Sequence, residues 1–405
     1  MQVAVLGAGV AGVTCAYYLA SRGVAVTLVE RAAEPAAGAS FANGGQLSWS
    51  FTDALARPAL LAALPRVICG RDPAIRLRPF REPPLTAWGL RFLAQCTAAR
   101  ARANTLAVLE LALASARLLA ELREATGIEF AHAADGKLVL LPPGTPLAEA
   151  RALADLKRRA GCETAVLGPA EARALEPALA SFAADYAGAV HAERDEVGDA
   201  RAFTRGLAAW LAVRGRVETR YGTTVTGLAL ERGRLRAVLC DSGELRADAA
   251  VVCLGDASRA LLRGVGLRAP IYPVRGYSLT LPRGLRAPAI SITDPARRIL
   301  FCPLGGRLRV SGFADFSGGD GRDDDRRIGD LRRAARALAP SAADWTEKDD
   351  SPWAGNRPMT PDGRPLTGPT SISGLYLNCG HGMLGWTLAA ATGERVARAV
   401  LDPDR

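Results

Sequence analysis

Lysine is nearly missing from this chain of 405 residues: among its 51 basic residues only Lys137, Lys157 and Lys348 are lysines. Ala, Arg, Gly and Leu dominate throughout, so the net charge of +10 reads as a bias of the coding sequence. No dense basic tract with interleaved aromatics accompanies it, and a nucleic-acid partner is not expected. Histidine is as scarce. His132, His191 and His381 are too few and too scattered for a His-rich metal site or a Ser-His-Asp triad. The eight cysteines stand singly, none in C-x-x-C spacing, and several lie in apolar runs such as Val251–Gly255. They read as free thiols of a reducing compartment, without disulfides or zinc. No apolar run reaches membrane-spanning length, because Leu106–Leu122 is interrupted by Glu110, Arg117 and Glu121. The Asp-rich stretch 318–327 lacks the spacing and the Glu of an EF-hand loop and reads as a loop capping the next helix, so no metal is expected. A first strand at Gln2 or Val3 is expected to leave no room for a signal peptide. The expected location is the cytoplasm, with a peripheral contact on the inner face of the cytoplasmic membrane left open.

What is present is an ordinary globular composition, 49% hydrophobic and 23% charged, in a chain long enough for two or three domains. Val3–Leu6 is an aliphatic run suited to a strand buried on both faces. It leads into Gly7-Ala8-Gly9-Val10-Ala11-Gly12 and a helix to about Arg22, ended by Gly23. Gly7 suits the tight turn, Gly9 the approach of a pyrophosphate, and Gly12 the packing of helix on strand, while the helix N-terminus offers N–H groups to phosphate. A second strand, Val24–Val29, delivers Glu30, placed to accept hydrogen bonds from ribose hydroxyls, with Arg31 beside it. Strand, helix, strand and acid in this order predict a dinucleotide site.

A second glycine loop, Gly380-His381-Gly382-Met383-Leu384-Gly385, precedes a helix from about Trp386 to Leu401. No further strand or ribose carboxylate follows in the chain, so this loop is not expected to hold a nucleotide of its own. Its helix N-terminus is free to face another electron-rich group, such as the C2 carbonyl and N1 of a reduced flavin. The residues alone leave NAD and FAD both open.

Between these loops, 57–84 is rich in Pro and Arg and reads as an irregular connection. Asn104–Glu124 reads as a helix with Asn104 as its cap and Gly127 past its end. Gly136–Pro142 reads as a strand, and Leu147–Ala160, Pro169–Leu175 and Ala202–Arg214 as helices. Residues 223–255 alternate short strands with Gly turns, and 271–346 are strand-rich.

Four further stretches, Ser40–Ser48 (SFANGGQLS), Pro273–Thr280 (PVRGYSLT), Gly355–Gly368 (GNRPMTPDGRPLTG) and Leu375–Thr387 (LYLNCGHGMLGWT), together with the N-terminal unit resemble the FAD-dependent amine oxidoreductases of the D-amino-acid oxidase family. The likeness runs nearly end to end and is strongest to the bacterial members that dehydrogenate D-amino acids. It implies an α/β plus α+β fold, in which a Rossmann-like FAD-binding domain of the glutathione-reductase type is interleaved with a mixed-sheet substrate-binding domain. The expected boundaries are 1–84, 195–264 and 353–405 for FAD, and 85–194 and 265–352 for substrate. It implies non-covalent FAD and oxidation of a D-amino acid to 2-oxo acid and ammonia by hydride transfer from Cα to flavin N5, with electrons passed to a quinone or respiratory acceptor. A proline-, hydroxyproline- or sarcosine-type dehydrogenase, or a flavin-binding subunit whose catalysis belongs to a partner, stand as alternatives.

The resemblance also assigns roles. Arg357, before Pro358, matches the arginine that holds the substrate carboxylate, a task suited to its planar fork. Asn356 and Tyr277 stand beside the substrate, and His381 sits in the flavin loop. Ser40, Asn43, Gly44, Gly45 and Gln46 pass the cofactor, Val225 lies near the adenine, and Gly255 ends a central strand. Gly380, Gly382, Met383, Leu384, Gly385, Trp386 and Thr387 supply the second helix terminus. Asn356 and the segment Asp294–Cys302 depart from the family pattern, which leaves the side-chain pocket open.

Overall fold

The computed structural model describes residues 1–77, 83–316, 321–346 and 352–402. Strand Gln2–Leu6 forms with its last four residues buried, and runs parallel to Ala25–Val29 on one side and Ala249–Val252 on the other. A continuous aliphatic run needs this central place, because both of its faces are covered. Leu375–Cys379 continues the sheet parallel beyond Ala249–Val252, Leu366–Pro369 adds an antiparallel edge, and Val217–Arg220 lies outside Ala25–Val29. A three-stranded antiparallel sheet, Val225–Glu231, Arg234–Cys240 and Gly243–Arg246, stands next in the chain where the Gly turns predict it.

Helix Val10–Ser21 packs against the first sheet, and helix Gly385–Leu401 crosses it. The crossing is close because Gly393 meets backbone: a Cβ there would stand 3.0 Å from the Cys15 nitrogen. Helix Ala200–Val213, capped by the Asp199 carboxylate, covers the other flank. Phe130, Phe203 and Trp386 meet at the centre of this core.

A second, larger sheet runs in the order Trp353–Met359, Tyr272–Pro282, Arg307–Phe316, Ile299–Leu304, Ser291–Asp294, Lys137–Leu141, Gly188–Ala192, Ala165–Leu167, with Ile75–Leu77 added to the end of Arg307–Phe316. Trp353–Met359 and Ile75–Leu77 thus pair with this sheet, whereas the expected boundaries put both with the nucleotide part. Helix Asp324–Leu338 covers one face, with Leu331, Ala335 and Leu338 buried. Its first turn carries Asp324 and Asp325, as the Asp-rich stretch predicts, but Asp324 pairs with Arg275; residues 318–320 of that stretch lie outside the described residues.

Two local expectations are corrected. The connection 57–84 contains helix Pro58–Ile68, in which Pro58 occupies the first turn, where its missing N–H costs nothing. Helix Pro83–Gln95 follows, and Arg78 and Arg81 lie outside the described residues. The long helix spans Ala98–Thr126, capped by the Thr97 hydroxyl rather than by Asn104, which is buried within it. The Ala/Arg run before Asn104 favours helix, so the start lies upstream. Gly127 ends it in the left-handed conformation, as expected.

The Gly393 crossing predicts that Gly393→Val overpacks the two helices and lowers unfolding stability by about 1–3 kcal/mol, read as a lower urea midpoint. An unchanged midpoint would show that the helices can part without cost.

Candidate active site

The carbonyl ends of the first sheet's parallel strands and one end of the large sheet open into a shared cavity of about 2060 Å³. That exceeds the roughly 300–1000 Å³ of a drug-sized ligand pocket and has room for a dinucleotide together with a substrate. Every residue that the sequence assigns to cofactor or substrate lines it, except Gly12 and Gly380. Those two act from behind the wall. A Cβ on Gly12 would fall 1.8 Å from the Gly7 carbonyl oxygen, so only glycine lets the first helix sit on its strand. Gly380 takes φ +75°, and a Cβ there would meet Thr360 at 2.9 Å.

At the nucleotide end, Gly7 turns at φ +103° with its own Cβ position blocked by the Cys253 carbonyl. A Cβ on Gly9 would meet only the Ser40 hydroxyl, at 3.5 Å, so the approach beside it is open. The Glu30 carboxylate accepts the N–H groups of Ala8 at 2.8 Å and Ala32 at 3.0 Å, one on each oxygen, so each oxygen keeps a lone pair for a hydroxyl. The Ser40 hydroxyl accepts the Val10 N–H at 3.0 Å. Helices Val10–Ser21 and Gly385–Leu401 have no cap from their own leading side chains, and both direct their first turns into the cavity wall. Two positive helix ends converging on one space suit a cofactor with an anionic middle and an electron-accepting ring. The side-chain amide oxygen of Asn378, buried in the same wall, has no partner among the described residues. These features fit FAD.

The segment Asn43–Gln46 turns through an Asn43 side chain that accepts the Gly45 N–H at 2.9 Å. Gly45 sits at φ +71°, and a Cβ on Gly44 or Gly45 would press on Leu300 or on Cys302. Past the turn, the Ser48 N–H donates to the Thr387 hydroxyl at 3.1 Å, tying the segment to the last helix. Trp386 turns inward and donates its indole N–H to the Gly198 carbonyl. His381 is buried, with Nε2 3.0 Å from the Thr392 hydroxyl, which itself donates to the Leu388 carbonyl. The imidazole therefore donates through Nε2–H. Burial lowers its pKa to about 4, so it is neutral.

At the substrate end, Arg357 stands on strand Trp353–Met359 opposite Val274. Its guanidinium lies over Gly276: a Cβ there would be 2.2 Å from Cζ. It donates to the Phe313 carbonyl at 2.7 Å and to the Gly312 carbonyl at 3.4 Å. No carboxylate lies within ion-pair distance of it among the described residues. Desolvation lowers its pKa to about 10, against the pull of the Tyr277 and Asp315 charges, and it stays cationic at neutral pH.

Phe313 is the residue that sequence reasoning misses. It holds φ +58°, a left-handed conformation unusual for an aromatic side chain. Between the pairs Arg275↔Asp315 and Tyr277↔Gly312, strand Arg307–Phe316 carries one extra residue, and this bulge aims the Phe313 carbonyl at Arg357. Only the adjacent Gly312, where a Cβ would strike the Arg298 carbonyl at 2.3 Å, hints at it in the sequence.

The remaining substrate-end residues are already engaged. The Tyr277 hydroxyl donates to Asp315 at 2.9 Å, and Asp315 is paired with the buried Arg327. Burial and the Asp315 charge push the Tyr277 pKa up. Asn356 donates to Asp256 at 2.9 Å and accepts from Arg275 at 3.1 Å, which itself pairs with Asp324. The segment Asp294–Cys302 is a hairpin whose turn residue Arg298 pairs with Asp72. No helix among the described residues is long and apolar enough to cross a membrane.

The chain is 40% identical over 406 residues to D-amino acid dehydrogenase 2 of Ralstonia nicotianae, covering 98% of this chain and 96% of that protein. It is 40% identical over 403 residues to D-amino acid dehydrogenase of Paramagnetospirillum magneticum, covering 99% and 95%. Among solved structures, glycine oxidase from Bacillus cereus superposes with a TM-score of 0.72 at 21% identity, over 100% of this chain and 96% of that one. L-proline dehydrogenase from P. horikoshii gives 0.75 at 18% identity, over 100% and 94%. At these identities the two structures share the fold, as the resemblance implies. The model of the family described as FAD dependent oxidoreductase matches residues 2–399, and the chain belongs to that family, with FAD as its cofactor.

Proposed function

We propose that this chain oxidises a D-amino acid to the imino acid, which water converts to the 2-oxo acid and ammonia, and that Arg357 holds the substrate carboxylate. The observation that carries the reading is a cationic guanidinium at the cavity wall whose partners among the described residues are two carbonyls. A half-buried cation facing a cavity without a carboxylate is costly to desolvate, and a substrate anion offsets that cost. The D-configuration is taken over from the two dehydrogenases that are 40% identical along nearly the whole chain.

When bound, FAD supplies the two-electron oxidation. The chain's own residues bind, orient and exclude water. The two carbonyls and Gly276 hold the fork in one plane, which suits a planar carboxylate. The positive charge of Arg357 disfavours a second cation beside it and so favours the neutral amine that the oxidation needs. Tyr277 contributes its ring to the wall while its hydroxyl serves Asp315. Arg275, Asn356 and Asp256 form a polar margin for the substrate side chain. His381, neutral and bonded to Thr392, supports the loop ahead of the last helix.

For the electrons we propose a quinone or another respiratory carrier. The cavity extends to helices Pro58–Ile68 and Pro83–Gln95, where Leu64, Val67, Leu85, Trp88 and Phe92 line it, as an apolar ring would require. Leu61, Ile68 and Leu90 are exposed on these helices, and Arg57, Arg66 and Arg71 are exposed beside or within the first. A peripheral contact with an anionic inner leaflet, or with a partner subunit, belongs to the same proposal.

Arg357→Ala should cost on the order of 3 kcal/mol, roughly a hundredfold in kcat/KM for a D-amino acid, with FAD content unchanged. Arg357→Lys should recover part of the loss. Decarboxylated amines should be poor substrates of the wild type and indifferent to either change, and equal losses on both substrate types would place the carboxylate elsewhere. Gly276→Ala should imitate the loss without removing charge, since the new methyl displaces the guanidinium; a full-rate variant would show that the fork can shift freely.

His381 generates a pH dependence. Its folded pKa of about 4 lies below the ordinary 6.5, so the unfolded chain binds more protons in that window, and stability present above pH 6.5 is lost as pH falls towards 4. Relative to wild type, His381→Gln should lose about 3 kcal/mol of this dependence, at about 1.4 kcal/mol per pH unit. Asp195, whose pKa burial raises to about 6, has the opposite slope and cancels in the comparison. Parallel stability curves for the two proteins would rule out a buried neutral imidazole.

A further inference from the structure

In a chain that uses arginine for nearly every cation, the two described lysines are both buried and both hold the segment that follows Gly45. Lys137 and Lys157 are 1% and 5% exposed. Lys137, on strand Lys137–Leu141 of the large sheet, donates to the Gln46 side-chain carbonyl at 3.0 Å and to the Ser48 hydroxyl at 2.8 Å, and its ammonium lies 4.2 Å from the centre of the Phe51 ring. All three partners belong to residues 46–51, and no carboxylate is within ion-pair distance of it among the described residues. Lys157 pairs with Asp53 at 2.7 Å and donates to the Ser50 carbonyl at 2.8 Å. Asp195 accepts both the N–H and the hydroxyl of Ser50 at 2.9 Å.

An unpaired buried ammonium is costly, and here desolvation lowers its pKa to about 8, against the raising influence of Asp195, Cys302 and Asp53 and with the repulsion of Lys157. Methionine or leucine would fill the same space without that cost. What the ammonium adds is the path of one segment. Gln46 is held from the other side, where its amide donates to Ser291 at 2.6 Å and Thr293 at 3.0 Å, and the Ser48 N–H reaches Thr387 at the start of the last helix. Upstream, the buried Arg309 donates to the Asn43 carbonyl at 2.8 Å. Gln46 and Ser48 line the cavity, while Lys137 stands behind them.

We propose that Lys137 is a positioning residue of the flavin site, which fixes Gln46 and Ser48 so that the segment Asn43–Ser48 and the first turn of the last helix grip the isoalloxazine ring in one orientation. This rests on the reading that Asn43–Gln46 pass the ring. A point-like ammonium suits the task, because it donates in several directions to a curved segment, which a planar guanidinium does not.

The test is Lys137→Met in the FAD-loaded enzyme, with Gln46→Leu and the double variant beside it. Lys137→Met should retain FAD, because the Gly7–Glu30 unit is untouched. Its bound flavin should show a changed visible band shape, and kcat should fall roughly tenfold while KM for the D-amino acid stays within about twofold. The double variant should fall little further than Lys137→Met alone, since Gln46 is one of the two groups through which the lysine acts. A folded Lys137→Met with wild-type spectrum and kcat would overturn the proposal. Should that variant not fold, Gln46→Leu and Ser48→Ala decide together: wild-type spectra and rates in both leave the lysine nothing to act through, and overturn it as well. Altered spectra in Gln46→Leu and Asn43→Ala beside an unaltered Lys137→Met would keep the ring-side reading and reject the lysine, whereas three unaltered spectra would reject both.

Discussion

The absence of a side chain at position 12 is the constraint on which the rest of the molecule depends. A Cβ there would fall 1.8 Å from the Gly7 carbonyl oxygen, so no other residue allows the first helix to seat on the first strand. Once seated, that helix presents its N-terminus to the cavity and its flank to the last helix, whose own close approach passes through Gly393 against Cys15. Two glycine contacts thus bring two positive helix ends into one space, and each end is worth most where little solvent screens it. Two such ends are the environment that the anionic and electron-accepting parts of the proposed flavin would need.

The substrate end is built on the same economy of small residues with the opposite sign of consequence. Gly276 makes room for a guanidinium instead of a helix, and Gly355, where a Cβ would stand 2.0 Å from the Trp353 ring, makes room for an indole. The bulge at Phe313 then turns a strand carbonyl out of the ladder and towards Arg357. A left-handed aromatic residue persists because the sheet on both sides over-determines it, and it does so beside the arginine proposed to hold the substrate carboxylate. Tyr277, Asp315 and Arg327 form a buried, mutually satisfied group immediately behind, which makes the wall stiff.

Buried cations of the large sheet join the two ends. Arg309 reaches the Asn43 carbonyl and Lys137 reaches Gln46 and Ser48, so the segment that leaves the first βαβ unit is held by strands of the large sheet. Movement of either sheet relative to the other would strip these cations of partners in a poorly solvated interior, a penalty of several kcal/mol each. The cavity is accordingly rigid where Asn43–Ser48 line it, while helices Pro58–Ile68 and Pro83–Gln95, the second held by the Trp88 indole on the Met359 carbonyl, leave Leu61, Ile68 and Leu90 in solvent.

The sequence by itself determined the strand, glycine turn, helix and acid of residues 3–30, the short strands and Gly turns of 223–255, and the helices at Leu147, Pro169 and about Ala202, because each follows from local periodicity and local turn chemistry. It also carried the family, through motifs that each contribute residues to one cavity although they lie hundreds of positions apart. It misjudged residues 57–84 and the start of the long helix, where proline and asparagine resemble boundary signals and a helix-favouring neighbourhood prevails. Only the tertiary structure decided that Trp353–Met359 joins the large sheet, that Phe313 turns its carbonyl to Arg357, and that Lys137 is buried beneath Gln46. Those outcomes depend on pairing across long sequence separations and on burial, and a residue's type does not state what will cover it.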